Sequence, residues 1–296
     1  MNLIWVTHPL SALLMVLIPV ALGIFLTRRF KLGWGVWWIG AAAFVASQVG
    51  HIPFNAVVGV MFERGWLPRP PDQFALVFSA IFLGLSAGMW EGWFRYIAYR
   101  WWAKTARSWR RGVLLGAGHG GIEAVILGGL SLYTFARIAF FYGKDLAAFF
   151  PADQVLLAEQ QISSYWNMPW HLPLIAPLER VSTIAMHIAA SVLVLQAFTR
   201  GSKAWVWLGV GWHALVDGVG AVYLPAIWQG QPWVIYAVEA VLGLAALISL
   251  GIIFLLKQPE PTPEAAQQPL SFPTPLNPLP SVEETPENLD KTRYAE

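Results

Sequence analysis

Ionisable side chains stand inside long apolar stretches of this chain, mostly in pairs four residues apart. They are Glu91 and Arg95, His119 and Glu123, His213 and Asp217, and the single His187. Residues four apart share one face of a helix, so each pair can act at one point. A carboxylate can take a proton from water while histidines hold that water and stabilise an oxyanion. The same side chains can bind zinc with one position left for water. These residues therefore favour hydrolysis, with or without a metal.

The stretches that carry these residues are typical of membrane helices. Of 296 residues, 56% are hydrophobic and 12% are charged, against about 25% charged in soluble domains. A bilayer span needs about 20 mostly apolar residues. The sequence predicts an all-α, polytopic membrane helix bundle, and we expect a multi-pass protein of a prokaryotic plasma membrane. The seven candidate spans are 9–26, 34–60, 73–97, 112–134, 174–198, 204–225 and 233–256.

Basic residues are concentrated in alternate loops, as the positive-inside rule requires. Five of them lie between spans three and four, whereas the loop before the last span has none. This pattern places the N-terminus outside and the C-terminus in the cytoplasm. These basic residues sit in short loops and form no stripe that would bind nucleic acid.

Depth indicates which ionisable groups can meet. At about 1.5 Å per helical residue, six groups on four spans fall between the inner face and the midplane. Glu179, Arg180 and Glu239 are predicted to form a separate set on the outer side. Ionisable groups at bilayer depth are costly and mark functional sites.

The remaining segments have simpler interpretations. Pro53 is expected to kink span two or to end it early. The long outer loop, 135–173, either contains a short interfacial helix or is a surface loop with aromatic anchors. The chain divides into a membrane domain, 1–257, and a Pro/Glu-rich tail, 258–296, which we expect to be disordered and cytoplasmic. The absence of cysteine excludes thiolate chemistry.

Four motifs resemble those of the YhfC family of intramembrane proteases. They are Trp90-Glu91-Gly-Trp-Phe-Arg95, Gly116-Ala-Gly-His119-Gly-Gly-Ile-Glu123, Glu179-Arg180 followed by His187, and His213-Ala-Leu-Val-Asp217. That family is similar to the glutamic-type CAAX-prenyl and PrsW-like membrane proteases. The resemblance covers roughly residues 1–256.

The resemblance implies a role for each of these residues. Glu91 would activate water, and Arg95 would orient it. His119 and Glu123 match the second motif, in which either residue can be the base. His187 and His213 would hold water and stabilise the oxyanion. Asp217 would fix the tautomer of His213.

The leading hypothesis is thus an intramembrane endopeptidase that opens from the cytoplasmic half and acts on transmembrane or membrane-near peptides among membrane lipids. A mechanism without a cofactor is favoured. Zinc is the alternative, with His119, His187 and His213 as candidate ligands. A transporter or proton relay built on the same network is the second hypothesis. Haem held by His187 and His213 is the third.

Overall fold

A computed structural model describes residues 2–259 as an all-helical structure. The predicted tail lies outside the described residues except for its first two positions, so its disorder stays a prediction. The main helices are α1 (Ile4–Phe30), α2 (Gly35–Glu63), α3 (Asp72–Ile97), α4 (Trp109–Phe141), α5 (Ala152–Asn167), α6 (Ile175–Thr199), α7 (Ala204–Leu215), α8 (Leu224–Ile227) and α9 (Val234–Leu255).

Irregular turns extend three of these helices. A π-helical turn at Ala98–Trp102 continues α3, and a second one at Val216–Tyr223 joins α7 to α8. A 3-10 turn at Leu172–Leu174 leads into α6. A second 3-10 turn, Leu146–Ala148, precedes α5.

Seven helical segments within residues 2–259 are long and apolar enough to cross a bilayer. They coincide with the seven predicted spans, and the structure confirms the all-α polytopic fold. The first, third and fourth segments are clearly longer than predicted, because apolarity marks only the part of a helix that lies in lipid. The orientation of the N- and C-termini stays a prediction.

Helix α4 is central and packs mainly on α1, α2 and α6. Its glycines permit close backbone approach. A Cβ at Gly118 would lie 1.9 Å from the Trp37 carbonyl oxygen of α2, and one at Gly40 would lie 2.0 Å from that of Leu115. Small residues thus let α2 and α4 touch along their backbones, which fixes the depth of His119 relative to α2.

Helix α2 does not end at Pro53 but continues to Glu63. The prediction that Pro53 ends this span early is therefore wrong. Proline removes one backbone donor, and a membrane helix tolerates this where neighbouring groups satisfy the freed carbonyl. The uninterrupted helix carries the polar side chains Gln48, His51 and Asn55 on both sides of Pro53.

The long outer loop contains a helix, as one of its two interpretations expected. Helix α5 follows Pro151 and packs Trp166 against Trp5 of α1, with ring centroids 4.3 Å apart. Burial raises the pKa of Tyr165 on this helix to about 12. The side chain of Tyr165 stacks on His8 at 4.2 Å. Helix α5 therefore anchors this end of α1.

Candidate active site

One carboxylate oxygen, Oε2 of Glu91, is the centre of the site. Groups from four helices converge on it. They are Nη2 of Arg95 at 3.2 Å, Nε2 of His119 at 3.0 Å, Nε2 of His213 at 3.6 Å and Nδ1 of His187 at 3.7 Å. Together with Gln48, which donates to Oε1 at 3.1 Å, these residues enclose the Glu91 carboxylate.

The predicted residues on α3, α4, α6 and α7 therefore meet in space. Glu91, His119, His187 and His213 lie nine to twelve residues from the helix ends that were predicted to face inward, if the π-helical turn Ala98–Trp102 is counted with α3. At about 1.5 Å per residue this distance is about 14–18 Å. The four residues therefore lie at similar heights along their helices, as the sequence predicted.

His187 connects Glu91 to the second glutamate, Glu123. Its Nδ1 lies 2.7 Å from Nη2 of Arg95, and its Nε2 lies 2.7 Å from Oε2 of Glu123. Because Arg95 can only donate, Nδ1 accepts and Nε2–H donates to Glu123. His187 is thus neutral and fixed in one tautomer by this geometry.

Glu123 also pairs with Arg180, whose Nη1 lies 2.8 Å from Oε1. Arg180 in turn contacts Glu179. The sequence predicted a separate outer set of Glu179, Arg180 and Glu239, and the pairing of Arg180 with Glu123 shows that this set is not separate from the site. Counting residues gives the depth of a Cα atom but not the reach of an arginine side chain, which extends to Glu123.

A cavity of about 510 Å³ opens beside the two glutamates. Its polar wall contains both glutamates. Its apolar wall is formed mainly by α6, the π-helical turn Val216–Tyr223, α8 and α9. Lining residues include Leu127, Thr183, Met186, Val216, Gly220, Pro225, Val238 and Leu242. The Glu91 side chain is only 6% exposed, whereas that of Glu123 is 19% exposed. Glu123 is therefore the more accessible carboxylate.

His213 and Asp217 form the predicted pair, with Nε2 and Oδ2 3.1 Å apart. Asp217 lies in the π-helical turn that follows α7 and lines the cavity. A π-helical turn widens the helix locally and often marks a functional site. Asp217 and Glu91 both face the same nitrogen of His213, so the carboxylates jointly favour a proton on Nε2.

Sequence reasoning missed part of the site. Gln48, His51 and Asn55 on α2 form a hydrogen-bonded row that ends on Glu91. Their spacing, i, i+3 and i+7 in an otherwise apolar helix, is the signal that could have found them. Only charged residues and histidines within the other spans had been assigned to the site.

A metal ion fits the site. Ligand atoms of Glu91, His119 and His187 all lie within 4.8 Å of one another, and all three residues are buried. Two imidazoles and one carboxylate are a ligand set that catalytic zinc uses. The trio includes Glu91 in place of His213, which differs from the three predicted ligands.

The charges agree with a divalent cation. Four carboxylates and two guanidinium groups belong to the cluster, which leaves a formal charge of −2 when the histidines are neutral. The acidic members are Glu91, Glu123, Glu179 and Asp217, and the basic members are Arg95 and Arg180. Glu179 and Asp217 are about one-third exposed, so solvent compensates part of this charge, and a divalent cation would compensate the rest.

The haem hypothesis does not agree with the geometry. The rings of His187 and His213 have centroids 5.3 Å apart. The Glu91 carboxylate lies within 3.7 Å of both rings. Haem ligated by both residues would have to fit between them, and the carboxylate occupies that space.

The fold and the site together define a multi-span membrane protein with a buried carboxylate–imidazole centre suited to a metal ion. Comparison with known families gives the same class: residues 14–242 match the YhfC intramembrane metalloprotease family, and the chain belongs to that family. It is 28% identical over 255 residues to an uncharacterized membrane protein, YhfC, of Bacillus subtilis (strain 168). The match covers 84% of this chain and 95% of that protein. No solved structure matches.

Proposed function

We propose that this protein is an intramembrane endopeptidase that hydrolyses peptide bonds of membrane-embedded or membrane-near segments. The observation that carries the proposal is the convergence of three histidines and an arginine on the buried Glu91 carboxylate, beside a cavity within the helix bundle. Membership in a family described as metalloproteases supports it.

Glu91, His119 and His187 would hold the metal. When bound, a zinc ion supplies Lewis-acid polarisation of the peptide carbonyl and lowers the pKa of a water. The fit of the donor set and the family description favour this alternative over the metal-free mechanism that the sequence favoured. Arg95 donates from Nη2 to Glu91 and to Nδ1 of His187. Because Nε2 of His187 donates to Glu123, a metal would have to bind Nδ1 and replace the Arg95 hydrogen bond there, while Arg95 kept its contact with Glu91.

Glu123 is the general base in this proposal. Both glutamates have both oxygens paired, but the Glu91 side chain is only 6% exposed, whereas that of Glu123 is 19% exposed. Glu123 faces the cavity, where it can take a proton from the attacking water and pass it to the leaving amine. Its contacts with Arg180 and His187 hold its carboxylate in place.

His213 is assigned to the oxyanion. Asp217 keeps the proton on Nε2, and this N–H would turn from Asp217 to the negative charge that develops on the peptide oxygen. The apolar wall opposite, including Met186 and Leu242, excludes water from the bound peptide. With the N-terminus outside, as the loop charges predict, the substrate would enter from the cytoplasmic half.

The test is N-terminal peptide mapping of host membranes that express the wild type, Glu91→Gln or Glu123→Gln at equal levels. We expect new N-termini in the wild type that are absent from both variants. Ser79→Ala is the matched control, because its hydroxyl bonds only to the Ala75 carbonyl of its own helix. Identical N-termini in all samples would contradict proteolysis.

One observation favours proton transport as a second candidate. A continuous series of contacts runs from Glu91 through His187, Glu123 and Arg180 to Glu179. Chains of ionisable groups within membrane helices also relay protons. Proton flux into sealed vesicles that depends on Glu123, without cleavage of any peptide, would favour this function over the protease.

A further inference from the structure

A row of polar side chains crosses from α3 to α2 and ends on Glu91. Ser86 Oγ donates to Oδ1 of Asn55 at 2.7 Å, and Nδ2 of Asn55 lies 2.9 Å from Nε2 of His51. Nδ1 of His51 lies 3.3 Å from Oε1 of Gln48. Nε2 of Gln48 donates to Oε1 of Glu91 at 3.1 Å. We call these four side chains, Gln48, His51, Asn55 and Ser86, the α2 row.

The hydrogen bonds of the α2 row all donate toward Glu91. The amide of Asn55 can only donate through nitrogen, so Nε2 of His51 accepts and Nδ1 carries the proton. That proton points to the Gln48 oxygen, which leaves the Gln48 amide nitrogen aimed at Glu91. Each bond therefore fixes the orientation of the next group, from Ser86 to the carboxylate.

The location of the α2 row argues against general helix packing as its purpose. Its neighbours Val49, Ile52 and Val57 are 74%, 64% and 58% exposed and form the outward face of α2. Polar groups at this depth are costly unless they are paired. Ser79 satisfies its hydroxyl on its own helix, whereas the four side chains of the row are linked to one another and to a single carboxylate.

We propose that the α2 row positions Glu91, with Gln48 as the positioning residue and His51, Asn55 and Ser86 as its support. Gln48 holds Oε1 while Arg95 and His119 hold Oε2. The carboxylate is thereby fixed on both oxygens, as residues around a metal ligand commonly do. This role rests on the proposed function of the Glu91 centre.

The first test compares Gln48→Met, Asn55→Leu and Ser86→Ala in purified full-length protein reconstituted in lipid nanodiscs. Loss of an outer partner of a metal ligand typically weakens metal affinity about 10- to 100-fold. We expect Gln48→Met to lower Zn²⁺ affinity by about that factor and kcat by about tenfold, with KM nearly unchanged. Asn55→Leu and Ser86→Ala should show the same effects in decreasing order. Ser79→Ala should match the wild type.

A second readout is independent of catalysis. Nitrogen-15 NMR of histidine-labelled protein, with His51 assigned by its loss in His51→Gln, should show a neutral ring protonated at Nδ1. A ring protonated at Nε2 would overturn the direction of the row. If Gln48→Met does not fold, Asn55→Leu carries the kinetic test, with a smaller expected loss.

The outcomes separate this inference from the proposed function. Suppose that the wild type cleaves peptides and that Gln48→Met and Asn55→Leu match its activity and its Zn²⁺ affinity. This result would overturn the positioning role of the α2 row and leave the proposed protease function intact. A wild type that cleaves no peptide would contradict the proposed function itself.

Discussion

Glu91 and Glu123 border the same cavity and both contact His187, yet their surroundings differ. Glu91 is enclosed by groups from five other residues around both of its oxygens. Glu123 is three times as exposed and is held by Arg180 and His187 on the cavity wall. Two carboxylates in different environments commonly take different roles. The enclosed one is suited to hold a metal, and the accessible one is suited to move a proton.

Among the tests of these two roles, we expect metal removal to have the largest effect on activity. Treatment of the detergent-solubilised protein with a strong chelator should abolish cleavage of a transmembrane peptide, because polarisation of the carbonyl is lost. Added zinc should restore it. Full activity after chelation, with metal content verified as zero, would instead support a metal-free mechanism in which a glutamate activates the water.

Glu123→Gln should have the next largest effect. Loss of a general base typically costs about 10²- to 10⁴-fold in rate, and we expect kcat to fall within that range. Zinc content should stay at the wild-type level, since Glu123 lies outside the buried ligand trio. Elemental analysis beside the kinetic assay checks both parts. Loss of the metal together with activity would remove the distinction between the two glutamates.

Asp217→Asn should have a smaller effect. The amide cannot favour the proton on Nε2 of His213 as a carboxylate does, because one of its two polar ends is itself a donor. We expect kcat to fall about tenfold, the usual order for one charge-assisted hydrogen bond, with zinc content unchanged. Steady-state kinetics in nanodiscs measures this. A change in KM alone would place Asp217 in peptide binding instead of the oxyanion site.

The membrane fold was largely predictable from the sequence, because a span needs a long apolar segment and its length is visible in the residues. The convergence of Glu91, His119, His187 and His213 also followed from counting depth along each helix. The tail, 258–296, and the orientation of the bundle stay predictions.

The errors have a common physical cause. Depth along a helix says little about rotation or about the reach of a long side chain, so Arg180 was separated from Glu123 although the two are paired. Uncharged polar residues such as Gln48 and Asn55 give a weak hydropathy signal in an apolar helix. The expectation that Pro53 could end α2 early was wrong, because membrane helices can tolerate proline.

The most direct test of the division of roles is zinc-edge X-ray absorption on the reconstituted wild type, Glu91→Gln and Glu123→Gln. We expect zinc to be bound by two imidazole nitrogens and carboxylate oxygen in the wild type and in Glu123→Gln. We expect this set of ligands to be lost or altered in Glu91→Gln. A ligand set that is unchanged in Glu91→Gln but disrupted in Glu123→Gln would contradict the account.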